Sequence, residues 1–141
     1  MAPWGNDSTT PSGVGGWLLI LCALLLVWQP VTLGVAATTA LHALPMRGLP
    51  LALLLAARVL ATATGIAAGI AIVDRAGPAL ALARVALTLS AAVDLLVYTT
   101  PYFPNNRLPG ETPIFITASL ANYVVWMLYL ARSRRVRSTF D

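Results

Sequence analysis

Four long apolar stretches, separated by short segments rich in turn-forming residues, constrain this chain more than any other feature of its sequence. They cover about residues 17–41, 51–73, 78–98 and 113–131. At about 1.5 Å per helical residue, the longest forms a helix of roughly 37 Å, and the fourth just crosses a hydrocarbon core of about 30 Å. The pattern predicts an all-α fold, an integral-membrane four-helix bundle over residues 14–132.

Composition agrees with a chain that lipid surrounds. Hydrophobic residues make up 58% and charged residues 10% of the 141, whereas a soluble domain carries about 25% charged residues. Residues 1–13 are predicted to be a disordered polar leader. Because residues 1–16 contain no Lys or Arg and the apolar run after them is too long, no cleavable signal peptide is expected.

The segments between the apolar stretches predict how the helices connect. Gln29-Pro30 interrupts the first stretch, and a proline in lipid predicts a kink there, not an end. Residues 42–50 are expected to form the first loop. The linker 74–77 is so short that the second and third helices must be antiparallel neighbours. Thr112 and Pro113 are expected to serve as the N-cap and first residue of the fourth helix.

Arginine placement predicts the orientation in the membrane. All nine basic residues are arginines. Five of them fall on the side of the chain termini and the 74–77 turn, at positions 75, 132, 134, 135 and 137, whereas Arg47 and Arg107 fall on the other side. The excess predicts both termini in the cytoplasm. Residues 133–141 would then form a basic cytoplasmic tail beside anionic head groups, which is not the footprint of a nucleic-acid-binding protein.

Three ionisable residues lie inside the predicted spans, namely Arg58, Arg84 and Asp94. Such residues are costly in lipid and usually face a partner or a cavity. Arg58 lies about 12 Å and Asp94 about 6 Å below the same surface, so we expect them to pair across the second and third helices in the outer half of the membrane. This pair either fastens the helices together or belongs to a polar pathway or phosphate site.

The remaining intramembrane polar residues leave alternatives open. Arg84 is expected to reach cytoplasmic head groups or Asp74, or else to bind an anionic ligand. Asn122 and Gln29 are expected to form hydrogen bonds between helices, or else to line a conduit.

A row of small residues shares the helical face of Arg58. Gly65 and Gly69 form a GxxxG pair, and Ala61 extends it. Small residues let helix backbones approach closely in lipid. We therefore expect this row to be a helix-packing surface.

The chain contains no recognisable reaction centre. Cys22 is its only cysteine and His42 its only histidine, so neither a cysteine cluster nor a histidine-based metal site is expected. The carboxylates are scattered over different elements, which does not favour a paired acid and base. No catalytic, cofactor-binding or metal-binding residue is therefore assigned.

Two stretches at the ends of the chain resemble a known family. Gly15, Gly16, Trp17 and Leu18 open the first helix, and a tail motif follows the last one, with its matching positions at Ser133, Arg135, Val136, Thr139 and Phe140. This pattern resembles the DUF2569 family of small bacterial inner-membrane proteins, which includes the YdgK-like proteins. The resemblance implies a four-span inner-membrane protein and no particular activity.

The sequence supports three functional hypotheses. The leading one is a non-enzymatic accessory or scaffold protein of the bacterial inner membrane, with a membrane-protein partner or as a homo-oligomer. Phe140 would then enter the membrane interface or dock onto that partner. The alternative is a small oligomeric transporter or channel whose polar path runs around Arg58 and Asp94. A third is a membrane enzyme that binds phosphates of lipid-linked substrates with Arg58 and Arg84.

Overall fold

The structure, a computed structural model, describes residues 16–101, 108 and 110–140, and the regular elements in them are helical. Four helices are long and apolar enough to span a membrane. We call them span 1 (Trp17–Arg47), span 2 (α3, Leu49–Val73), span 3 (α4, Ala79–Thr99) and span 4 (α5, Thr112–Arg132). The predicted leader 1–13, Gly15 and Arg107 lie outside the described residues.

Span 1 is one continuous helix with a change of pitch in its first half. It consists of α1 (Trp17–Ala23), a π-helical segment (Leu24–Trp28) and α2 (Gln29–Arg47). Pro30 lies at the start of α2. Because proline has no N–H and its ring clashes with the carbonyl four residues earlier, the wider π-helical turn accommodates it. The helix continues through Gln29-Pro30, as predicted, and π-helical turns of this kind are frequent at functional sites.

The predicted first loop over residues 42–50 is wrong. Span 1 extends to Arg47, with Pro45 inside the helix, and α3 begins at Leu49. Gly48 alone makes the turn, with a φ of +66° that favours glycine. A helix leaves fewer backbone groups without partners than a loop does, and the prolines near this turn do not outweigh that advantage.

The other connections are close to the prediction. Span 2 ends at Val73, and a short turn in which Arg75 has a φ of +53° leads to α4 at Ala79. Spans 2 and 3 pack against each other more extensively than any other pair of helices described. The cap of span 4 is shifted by one residue, because Thr112 is its first residue and Glu111 is the N-cap.

Two apolar clusters hold the bundle together, one near each end. The cluster at the end that carries the termini draws on all four spans, and its largest side chains include Leu18, Leu21, Leu25, Ile72, Leu87, Trp126 and Leu130. The cluster near the Gly48 turn contains Ala40, Leu51, Leu54, Ala61, Val93 and Val97. Span 4 adds no buried residue to the second cluster, so the buried core at that end comes from spans 1 to 3.

The basic tail is a helix that folds back onto the bundle. It forms α6 (Arg134–Phe140). Val136 is 1% exposed inside the cluster near the termini, and Phe140 packs against the same cluster. Phe140 therefore contacts the bundle itself, and its entry into the membrane interface or docking onto a partner stays a prediction. The side chains of Arg135 and Thr139 lie outside the described part of the structure.

The two motifs behind the family resemblance contribute to the same apolar cluster. Leu18 from the first motif and Val136 from the second belong to one cluster. Trp17 makes an edge-to-face contact with Trp126, with ring centroids 6.5 Å apart. Ser133, the C-cap of span 4, accepts a backbone hydrogen bond from Arg137 and so starts α6. Both motifs therefore contribute to packing at the end of the bundle that carries the termini.

Candidate functional site

A polar cluster of three side chains, two of them charged, joins spans 2, 3 and 4. Arg58 on α3 donates from Nη1 to Oδ1 of Asp94 on α4, with 3.4 Å between the atoms. The hydroxyl of Ser119 on α5 donates to the other oxygen, Oδ2, at 3.0 Å. The Arg58–Asp94 pair is the one that the depth of these residues predicts. Ser119 is absent from the sequence-based assignment, although it lies about 10 Å from the start of span 4, at a depth that suits Asp94.

A second polar contact ties span 1 to span 3. The amide nitrogen of Gln29 donates to the hydroxyl of Ser90 at 2.9 Å, which is the interhelical bond expected for Gln29. The carbonyl oxygen of the same side chain, Oε1, is buried and has no hydrogen-bond partner among the described residues. It lies against Gly65, where a Cβ atom would collide with it. This oxygen is enclosed between spans 1 and 2, so a molecule in the cavity does not reach it, and the side chain of Gln29 acts in the cavity wall through its bond to Ser90.

Arg58, Asp94, Gln29 and Ser90 line a cavity of about 320 Å³ that is partly open to the surface of the bundle. All four spans contribute to its wall, which contains Leu24, Trp28, Gln29, Thr32, Arg58, Ala61, Thr62, Ser90, Val93, Asp94, Tyr98 and Asn122. Four of the five predicted intramembrane polar residues, all except Arg84, are among them. The volume is at the lower end of the range for ligand pockets, about 300–1,000 Å³.

The π-helical segment of span 1 shapes one wall of the cavity. Leu24 and Trp28 belong to this segment, Gln29 follows it directly, and Thr32 lies one turn further on. The hydroxyl of Thr32 donates to the backbone carbonyl of Gln29 at 2.9 Å, which satisfies an acceptor next to Pro30. The interruption at Gln29-Pro30 thus places an uncharged polar side chain opposite the charged pair.

Asn122 and Arg84 differ from their expected roles. Asn122 accepts a hydrogen bond from the Trp126 indole at 3.0 Å within the same helix, so the expected bond between helices is wrong, although Asn122 lines the cavity. Arg84 is exposed and lies outside the cavity wall. No ion pair joins it to Asp74 among the described residues, and its approach to head groups or to an anionic ligand stays a prediction.

The glycine row packs against span 1. A Cβ atom at Gly69 would lie 2.6 Å from Cγ of Leu26, and one at Gly65 would meet Gln29 and Leu25. Ala61 is 4% exposed and lines the cavity. The row is therefore a close helix contact, as expected, but its partner is span 1 around the π-helical segment, whereas Arg58 contacts Asp94 on span 3.

The arrangement is suited to hold a solute by hydrogen bonds. Its wall offers guanidinium and hydroxyl donors together with carboxylate and amide acceptors. Within residues 16–101, 108 and 110–140, no group of three or more His, Cys, Asp or Glu side chains is placed to hold a metal ion.

Comparisons of the chain with family models, with curated proteins and with solved structures find no match in any of the three. The resemblance of the two terminal motifs to the DUF2569 family therefore stays a prediction. The geometry of the cavity is the main guide to the function of the chain.

Proposed function

We propose that this chain is a small multi-pass membrane protein that binds a small polar solute in its cavity and passes it across the membrane without chemical change. One observation carries the proposal: polar side chains from all four spans converge on one partly open cavity. Polar groups within the membrane are costly and commonly mark substrate pathways. A bundle that needed only packing would fill this volume with apolar side chains.

The cavity wall also contains hydrogen-bonding groups that the described residues do not use fully. The Arg58 guanidinium carries five N–H donors, and one of them bonds Asp94 in the described structure. A bound solute supplies the missing partners, which supports a binding role over a purely structural one for this polar group.

Solute uptake into proteoliposomes tests the proposal. We expect purified protein to admit at least one of three small probes, namely erythritol, methanesulfonate or tetramethylammonium, faster than protein-free liposomes do. Replacing Thr32 with tryptophan fills the cavity and is expected to return uptake to the protein-free rate. The measurement is radiolabelled uptake with the membrane potential clamped at zero.

Thr39→Trp is the matched control for that experiment. Thr39 lies two turns further along span 1, is exposed, and bonds a carbonyl of its own helix, as Thr32 does. This variant is expected to keep the wild-type rate. Uptake of none of the probes, or equal loss in both tryptophan variants, would contradict the proposal.

An accessory role in the bacterial envelope is the second candidate. Span 4 favours it, because it is the least buried span. Only 11% of its most apolar 18-residue stretch is buried inside the bundle, against 22–28% for the other spans. A sparsely packed last helix suits a subunit that pairs with another membrane protein or with a second copy. Both candidates are non-enzymatic, and a protein that admits no probe supports the accessory role.

We further propose that the protein belongs to the DUF2569 family and lies in the bacterial inner membrane with both termini in the cytoplasm. The arginine asymmetry supports this orientation. A cysteine introduced at Ser138 is expected to react with a membrane-impermeant maleimide only after spheroplasts are opened. The native thiol of Cys22 is buried and gives little background. Labelling of intact spheroplasts would show that the tail faces outward.

A further inference from the structure

The charges and hydrogen-bonding groups of the cavity also indicate which class of solute it accepts. We propose that it selects small uncharged solutes that carry several hydroxyl or amide groups, and that it rejects ions of either sign. This inference rests on the proposed function and adds the chemistry of the substrate.

The ion pair provides the first argument. Arg58 and Asp94 face each other at 3.4 Å, and both line the cavity. An anion that approaches Arg58 therefore also meets the negative charge of Asp94, and a cation that approaches Asp94 meets Arg58. Either ion must separate the pair to gain its full attraction, and separation leaves one charge without a partner at a low dielectric. An uncharged solute leaves the pair intact.

Unused hydrogen-bonding capacity provides the second argument. The Arg58 N–H groups that do not bond Asp94 need acceptors. A hydroxyl group both donates and accepts, and a carboxamide carries separate donors and acceptor. The hydroxyls of Thr62, Ser90 and Tyr98 along the same wall extend this mixed surface. One polyol or amide molecule can therefore satisfy groups on opposite walls at once.

Volume provides the third argument. A cavity of about 320 Å³ is close to the lower limit for ligand pockets, so large glycans or lipids do not fit inside it. The apolar remainder of the wall, from Leu24, Trp28, Ala61 and Val93, suits the carbon skeleton of a short polyol.

The experiment compares the three probes in wild-type proteoliposomes. Erythritol represents an uncharged polyol, methanesulfonate a permanent anion and tetramethylammonium a permanent cation. We expect saturable erythritol uptake at a rate about a hundredfold above that of either ion, the factor that corresponds to the cost of a charge in the membrane interior. Faster uptake of an ion than of erythritol would overturn the inference while leaving the proposed function in place.

Charge variants of the pair provide a gain-of-function test that misfolding does not imitate. Asp94→Asn leaves Arg58 without its carboxylate, so the ratio of methanesulfonate to erythritol uptake is expected to rise at least about tenfold. Arg58→Gln is expected to raise the ratio for tetramethylammonium in the same way. An unchanged ratio in a variant that folds would overturn the inference. If neither variant folds, the selectivity of the wild-type protein decides it.

Discussion

Replacing Asp94 with alanine is expected to lower the free energy of unfolding by about 3 kcal/mol or more. The substitution removes the partner of the Arg58 guanidinium and the acceptor of the Ser119 hydroxyl in one step. The pair is half-buried, and each lost hydrogen bond to a charged group contributes about 1.5–3 kcal/mol. Thermal unfolding in detergent, followed with a thiol-reactive fluorogenic dye, measures the effect, because the dye reports exposure of the buried Cys22 thiol.

A charge exchange separates pairing from mere polarity. Arg58→Asp and Asp94→Arg are each expected to destabilise the bundle, because each places two like charges together. The double exchange restores an opposite pair and is expected to recover part of the lost stability. A double variant no more stable than either single one would show that the two residues are not partners.

Variants on span 4 separate the contribution of Ser119. Ser119→Ala removes one hydrogen bond to the carboxylate, and a bond to a charged group contributes about 1.5–3 kcal/mol. Thr117→Ala is the matched control, since Thr117 is exposed and bonds the Pro113 carbonyl of its own helix. Only the Ser119 variant is expected to move the unfolding temperature measurably.

Helical periodicity and depth were sufficient to predict the four spans and the Arg58–Asp94 pair. Both follow from the length of the apolar segments and from the 100° rotation per helical residue, which can be read from the sequence. Which neighbouring helix a given helical face contacts cannot be read from it. Gly65 and Gly69 share the face of Arg58 along α3, yet the glycines contact span 1 and Arg58 contacts span 3, because a helix between two neighbours divides its face between them.

Turn-forming residues predicted a loop where the structure has a helix, because a helix in lipid keeps its backbone groups paired. Residues 42–50 contain Pro45, Gly48 and Pro50, a composition typical of a loop in water. In the structure the helix continues through Pro45, and only Gly48 turns, because exposed backbone groups near the membrane cost more than one lost hydrogen bond. Asn122 was equally ambiguous: a polar residue inside a span finds a partner on another helix or, as here, four residues further along its own.

The π-helical segment links packing to the cavity. It widens span 1 just before Pro30, and the glycine row of α3 provides the room for this wider turn, with Leu26 above Gly69 and Gln29 above Gly65. The close approach on one side brings Gln29 within reach of Ser90 on span 3. Packing of spans 1 and 2 therefore determines the position of a polar side chain in the cavity wall.

Gly69→Ala is accordingly expected to destabilise the bundle by about 1–3 kcal/mol, the usual cost of inserting a methylene into a packed interior. The new Cβ would lie 2.6 Å from Cγ of Leu26, so spans 1 and 2 must separate or Leu26 must leave its rotamer. The effect is opposite to that of alanine at an exposed helical glycine, where it stabilises the helix by about 0.5–1 kcal/mol.

Gly34→Ala supplies that control, because Gly34 is exposed inside α2 and a Cβ there meets nothing within 4 Å. Unfolding temperatures from the Cys22 assay are expected to fall for Gly69→Ala and to stay level or rise for Gly34→Ala. Equal shifts in the two variants would mean that the glycine row does not set the distance between spans 1 and 2. In that case the wide turn before Pro30 would need another support, and Gln29 would not owe its place in the cavity to this contact.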